Sequence, residues 1–177
     1  HDPLRRQRQM CIRDRAACIS CAAGSITNTG TGTGATTCTA CAAGEYISTT
    51  AQAACISCAA GSITNTGTST GATSCDQCAA GTYSTASNVA SCTDCGAGKY
   101  VAASGSAAAA DCIGCPVGEY VGATGSTAET DCITCAAGSI TDTGTSAGAT
   151  TCTACDAGKY STASNVASCT DCGAGKY

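Results

Sequence analysis

Cys92-Thr93-Asp94-Cys95-Gly96-Ala97-Gly98-Lys99-Tyr100 is the stretch that decides the fold, because its pattern recurs from Cys18 to the last residue. It contains a CxxC pair, a Gly three residues after the second Cys, and a Tyr two residues after that Gly. Nine such pairs follow one another, and successive pairs are always 17 or 20 residues apart. Self-similarity at a fixed period predicts a repeat architecture.

The recurring residues have distinct predicted roles. A Gly so close to a cross-linked Cys indicates a turn that needs positive φ or a close backbone approach. The large residue after it is predicted to cover a disulfide or the next repeat as a miniature core. The pairs are Cys18/Cys21, Cys38/Cys41, Cys55/Cys58, Cys75/Cys78, Cys92/Cys95, Cys112/Cys115, Cys132/Cys135, Cys152/Cys155 and Cys169/Cys172. The glycines are Gly24, Gly44, Gly61, Gly81, Gly98, Gly118, Gly138, Gly158 and Gly175, and the large residues are Ile26, Tyr46, Ile63, Tyr83, Tyr100, Tyr120, Ile140, Tyr160 and Tyr177.

The composition does not provide an ordinary hydrophobic core. The 177 residues include no Phe, no Trp, one Met and six Tyr, and the 44% hydrophobic fraction is mostly Ala and Cys. Apolar burial stabilises by roughly 25 cal/mol per Å², whereas fixing each backbone residue costs about 1–2 kcal/mol. Cross-links are therefore expected to hold the fold, and 19 Cys is the density of a disulfide scaffold. We predict a small disulfide-rich fold, an elongated tandem array of irregular modules with minimal β-hairpins.

Residues 1–15 are interpreted as an artefact. The segment Arg5–Asp14 resembles one reading frame of a transposase adapter used in sequencing libraries, and residues 1–15 hold every Arg and the only His. The alternative is a basic arm that binds nucleic acid or an anionic surface. Without the segment, three Lys face ten acids, so residues 16–177 carry a formal charge of −7. We therefore expect no nucleic-acid partner.

The pattern resembles the ephrin-receptor-like cysteine-rich repeats, which are relatives of the first module of tumour-necrosis-factor-receptor cysteine-rich domains. The resemblance covers residues 18–177, although Ile26, Ile63 and Ile140 depart from the usual aromatic. It implies an extracellular or cell-surface location. It also implies that the second Cys of each pair bonds to the first Cys of the next: Cys21–Cys38, Cys41–Cys55, Cys58–Cys75, Cys78–Cys92, Cys95–Cys112, Cys115–Cys132, Cys135–Cys152 and Cys155–Cys169.

Two other uses of the cysteines stay open at this point. The spacing between pairs lies near that of zinc ribbons. Bonds within each CxxC would indicate redox chemistry, although no βαβ pattern accompanies them. The unbroken series of nine pairs and the absence of His after residue 15 favour disulfides.

Other chemistry finds little support in the sequence. No nucleophile and base can be combined without His, so no enzyme, catalytic residue, cofactor or metal is predicted. Asp111, Glu129 and Asp131 could contribute to a Ca²⁺ site, but a solvated surface is the simpler interpretation. Gly30–Gly34 lacks the Lys and the strand–helix context of a phosphate loop. No apolar run is long enough to cross a membrane.

Three functions compete for the repeat region, which is predicted to span residues 16–177 as eight complete units truncated at both ends. The first is a structural or adhesive part of a larger secreted or cell-surface protein. The second is a receptor-type protein-binding module, and the third is an array that binds zinc or another soft metal. Expected partners are other proteins or cell-surface glycans. A binder should expose a contiguous apolar patch.

Overall fold

The computed structural model describes residues 19–30, 32, 34–86, 89, 91–162, 166 and 168–175. The predicted adapter segment, residues 1–15, and Cys18 lie outside the described residues. The chain divides into two compact regions, one of residues 1–76 with 87–91 and the other of residues 77–86 with 92–177.

In the described residues, the architecture is a series of eight two-stranded antiparallel sheets, each joining consecutive strands. The strands are two or three residues long, and the remainder of each repeat is turn or irregular loop. They are β1 (Ser25–Thr27), β2 (Cys38–Ala40), β3 (Glu45–Tyr46), β4 (Ile56–Ser57), β5 (Ser62–Thr64), β6 (Cys75–Gln77), β7 (Thr82–Tyr83), β8 (Thr93–Asp94), β9 (Lys99–Tyr100), β10 (Ile113–Gly114), β11 (Glu119–Tyr120), β12 (Ile133–Thr134), β13 (Ser139–Thr141), β14 (Cys152–Ala154), β15 (Lys159–Tyr160) and β16 (Thr170–Asp171). Two short 3₁₀ turns, Ala109–Asp111 and Glu129–Asp131, are the helical elements of the described residues.

Eight disulfides close the eight hairpins, and their pairing is the one that the resemblance implies. Their Cα–Cα distances lie between 5.6 and 5.8 Å. We call each hairpin with its disulfide a module, numbered 1 to 8 from Cys21–Cys38 to Cys155–Cys169. The fold is therefore the small disulfide-rich tandem array predicted from the sequence.

A glycine turn starts each hairpin. In module 1 the N–H of Ser25 donates to the carbonyl of Ala22 at 3.2 Å, and Gly24, the third residue of the turn, has φ +83°. Positive φ at that position is the requirement of a type II turn. The Ile or Tyr that follows suits a strand, because β-branched and aromatic side chains fit a pleated, half-buried surface.

Candidate functional site

The two cysteines of each disulfide occupy different environments. In modules 1 to 7 the Cys that opens the module is buried, with an exposed fraction of 0 to 1%. The Cys that closes the hairpin lies nearer the surface, and among the closing residues Cys112 is the buried one, at 7%. In the described residues, Cys172 forms no disulfide. The buried sulfurs thus occupy the interior that larger apolar side chains fill in ordinary domains.

Three backbone hydrogen bonds join module 5 to module 6, and the equivalent three join module 4 to module 5. At the junction of modules 5 and 6, the N–H of Gly98 donates to the carbonyl of Val121 at 2.7 Å. The N–H of Val101 donates to Ser126 at 3.2 Å, and the N–H of Gly125 donates back to the carbonyl of Cys95 at 2.9 Å. Because bonds run in both directions, the two hairpins are fixed in one register.

The repeat glycines also allow close approach between modules that are two apart. A Cβ atom on Gly98 would overlap the carbonyl oxygen of Gly148 in module 7 and would lie 3.2 Å from the carbonyl oxygen of Ala149. Gly24 meets Gly71 in module 3, and Gly81 meets Gly125 in module 6, in the same manner. At these three positions a larger residue is therefore excluded both by the positive φ and by the lack of room for a Cβ atom.

The predicted miniature core is placed one residue away from where the sequence suggested. From Ile26 to Ile140 the Tyr and Ile side chains of the repeat position are half-buried, whereas Tyr160 is 43% exposed. The next residue is the buried one: Thr27, Ile47, Thr64, Ser84, Val101, Val121, Thr141 and Ser161. Tyr83 packs on a cluster of the following module that consists of Cys95, Val101 and Cys112. A Tyr of one module therefore does cover the disulfide of the next, as expected.

An apolar position that the sequence reasoning missed follows the closing Cys. Ile56, Ile113 and Ile133 are 54 to 56% exposed. Each lies directly across its hairpin from the repeat Tyr, as Ile113 does from Tyr100. The sequence contains a signal for this pairing. The isoleucine directly follows a Cys that closes a hairpin, and a residue at that place pairs with a residue of the opposite strand.

Two of the three acidic side chains that were considered as Ca²⁺ ligands order their own loops. One carboxylate oxygen of Asp111 accepts the N–H groups of Ala107 and Ala108, both at 2.9 Å. Asp131 accepts two N–H groups in the same way in the next module. Among the described residues, no three His, Cys, Asp or Glu side chains are grouped so as to hold a metal ion.

One carboxyl group has a shifted pKa. Asp142 has a pKa below its ordinary value because the Thr150 hydroxyl donates a hydrogen bond to it at 2.7 Å, and the N–H of Thr150 adds another at 3.0 Å. In modules 1 and 3 the aligned residues are Asn28 and Asn65, whose side-chain oxygens accept the same loop N–H groups. The group is therefore a loop cap.

Comparison with known proteins agrees with this geometry. Residues 81–132 match the family model described as tyrosine-protein kinase ephrin type A/B receptor-like. This match and the run of disulfides fit an ephrin-receptor-like cysteine-rich repeat. The matched segment lies in modules 4 to 6, and the run of disulfides continues on both sides of it. A search of the curated proteins finds no match to the chain.

Ephrin-receptor-like repeats are a receptor-like, non-catalytic kind of module. The family and the disulfides together point to an extracellular or cell-surface location, since disulfides persist in oxidising compartments. No helix in the described part of the chain is long and apolar enough to cross a membrane.

Proposed function

We propose that residues 16–177 form a structural and adhesive repeat region of a larger secreted or cell-surface protein, organised as eight modules. The observation that carries the proposal is a junction such as that of modules 5 and 6, where a covalent loop within each module is combined with two-way hydrogen bonds to its neighbour. Modules joined in this way stay ordered without relying on a large hydrophobic interior.

The proposed role of the sixteen bonded cysteines is to limit extension. The two cysteines of a disulfide are 17 residues apart in five modules and 14 residues apart in three. The disulfides therefore keep loops with a total length of 127 residues from being pulled out. Between Cys21 and Cys169, the chain that can still be extended under force consists of the links of three residue steps that join one disulfide to the next, such as Cys38 to Cys41. At about 3.5 Å per extended residue, and allowing for the bonded Cα–Cα distances, the loops hide about 40 nm of chain.

Single-molecule extension of the full chain, attached at its two ends, tests the proposal. We expect a short oxidised contour length that grows by about 40 nm when a reductant is added. Protease resistance is expected to be lost in the same step, because the chain has no large hydrophobic interior to retain it. A chain that reaches its full contour length before reduction would show that cross-links do not limit it.

A second candidate function is that of a receptor-type protein-binding module. The observation that favours it is the exposed isoleucine at 54 to 56% in three modules. Exposed aromatic and aliphatic side chains in adjacent positions are typical of protein contact surfaces. In a spacer alone, nothing requires Ile at these positions, and the other modules have Thr or Asp there.

A further inference from the structure

We propose that modules 5 and 6 present a docking surface for a protein segment that carries both apolar and basic side chains. We define the Ile113–Ile133 face as Tyr100, Ile113, Val117, Tyr120 and Ile133. This inference deepens the second candidate function, because it assigns the binding face and the chemistry of the partner.

The apolar side chains of this face are concentrated in two consecutive modules. Ile113 and Ile133 are each 54% exposed, and Val117 between them in sequence is 39% exposed. The junction hydrogen bonds hold the two hairpins in one register, so equivalent positions follow each other along the array. In other modules the position of the isoleucine is polar: Thr39, Asp76, Thr93, Thr153 and Thr170. Module 2 has an isoleucine, Ile56, at this position, but the equivalent residues of its two neighbouring modules are polar.

Acidic residues outnumber basic residues in the segment that carries the face. Residues 94–134 include five acids and a single Lys. Asp111 and Asp131 precede the two isoleucines by two residues. A shallow surface depression is lined jointly by Tyr100, Asp111 and Ile113, so carboxylate and apolar groups share one concavity.

The charge pattern selects among possible occupants. A partner segment with Lys or Arg beside its apolar side chains would meet complementary charge, which favours association and its rate. An anionic glycan, an anionic lipid surface or a second copy of this acidic chain would meet like charge. The observations therefore favour a basic, apolar protein segment.

Binding of short synthetic peptides to the immobilised, oxidised full chain tests the proposal. One peptide set alternates Leu and Ile with Lys and Arg, and the other replaces every Lys and Arg by Glu. We expect the basic set to bind and the acidic set to bind at least about tenfold more weakly. The double variant Ile113→Thr with Ile133→Thr is expected to lose at least about tenfold in affinity for the basic set.

The chain supplies its own matched variants. Threonine already occupies the isoleucine position in other modules, so the double variant should form all eight disulfides, which mass mapping checks. Ile56→Thr removes an equally exposed isoleucine outside the face and is expected to leave binding unchanged.

Four results would overturn the inference: no binding by the basic set, equal binding by both sets, no loss in the double variant, or an equal loss in Ile56→Thr. A dimer in analytical ultracentrifugation that the double variant abolishes would also overturn it and would assign the face to a second copy. The single-molecule extension measurement on the double variant tests the spacer proposal separately. Its result depends on the disulfides and not on the Ile113–Ile133 face, so the spacer proposal can hold when the docking proposal fails.

Discussion

Replacing Gly98 with Ala tests whether close approach between modules two apart stabilises the array. The residue has φ +82°, a backbone conformation that an L side chain rarely adopts. The added Cβ would also overlap the carbonyl oxygen of Gly148 and would lie 2.7 Å from its carbonyl carbon. Both contacts are to backbone, so no side-chain rotation can relieve them.

The two costs can be separated with a matched variant. Gly138→Ala introduces the same side chain at φ +84°, and its Cβ would meet nothing within 4 Å. Both glycines also accept a hydrogen bond from the Cys that opens the next module, at 2.8 Å. The control therefore pays only the left-handed backbone strain, about 1–2 kcal/mol. Gly98→Ala adds an overpacking cost of about 1–3 kcal/mol.

Denaturant unfolding of the oxidised chain, followed by tyrosine fluorescence, gives the two free energies of unfolding. Amide hydrogen exchange locates the damage, since the N–H of Gly148 donates to Cys115 at 2.9 Å and should exchange faster in Gly98→Ala alone. If the two variants lost equal free energy of unfolding and the Gly148 amide stayed protected in both, close approach across two modules would contribute nothing.

Three further changes have expected outcomes. Ala51 has φ +60°, so Ala51→Asn should raise the free energy of unfolding by up to about 1 kcal/mol because Asn tolerates that conformation; a lower thermal midpoint would contradict this. Asp142 carries a lowered pKa through Thr150, so its contribution is present above the ordinary Asp pKa and is lost as the pH falls through the lower folded value. Acid titration of Asp142→Asn should show a smaller loss over that window than the parent, and equal losses would refute the role. Thr64 is 1% exposed and donates to the Gly67 carbonyl at 2.9 Å, so Thr64→Val should cost about 1 kcal/mol in denaturant unfolding, whereas an unchanged midpoint would count against it.

The sequence predicts the covalent framework because cysteine spacing is independent of packing detail. A constant CxxC pattern with a Gly at fixed distance defines a turn and a closing bond in every module, and the structure places a positive φ at that Gly. The family resemblance supplies the pairing of cysteines, which spacing alone leaves open.

The sequence does not predict which side chain is buried. Residue size pointed to the repeat Tyr, but in two-residue strands the side chain after it faces the junction, so Val101 is 3% exposed while Tyr100 is half-buried. Burial here depends on contacts between modules, which the period of a single hairpin does not encode. For the same reason the exposed isoleucines across from the tyrosines were missed.

Contacts between modules two apart change how stability should be distributed. In a repeat array where each unit touches only its neighbours, stability is a sum of unit terms and nearest-neighbour terms. Gly24 meets module 3, and Gly81 meets module 6, so a third module completes contacts that two modules alone leave open. Small residues make this possible, because the absent Cβ lets three hairpins nest where a larger side chain would hold them apart. At Gly24, Gly81 and Gly98 the glycine that begins the hairpin therefore makes three successive modules, rather than two, the smallest group with all its contacts formed.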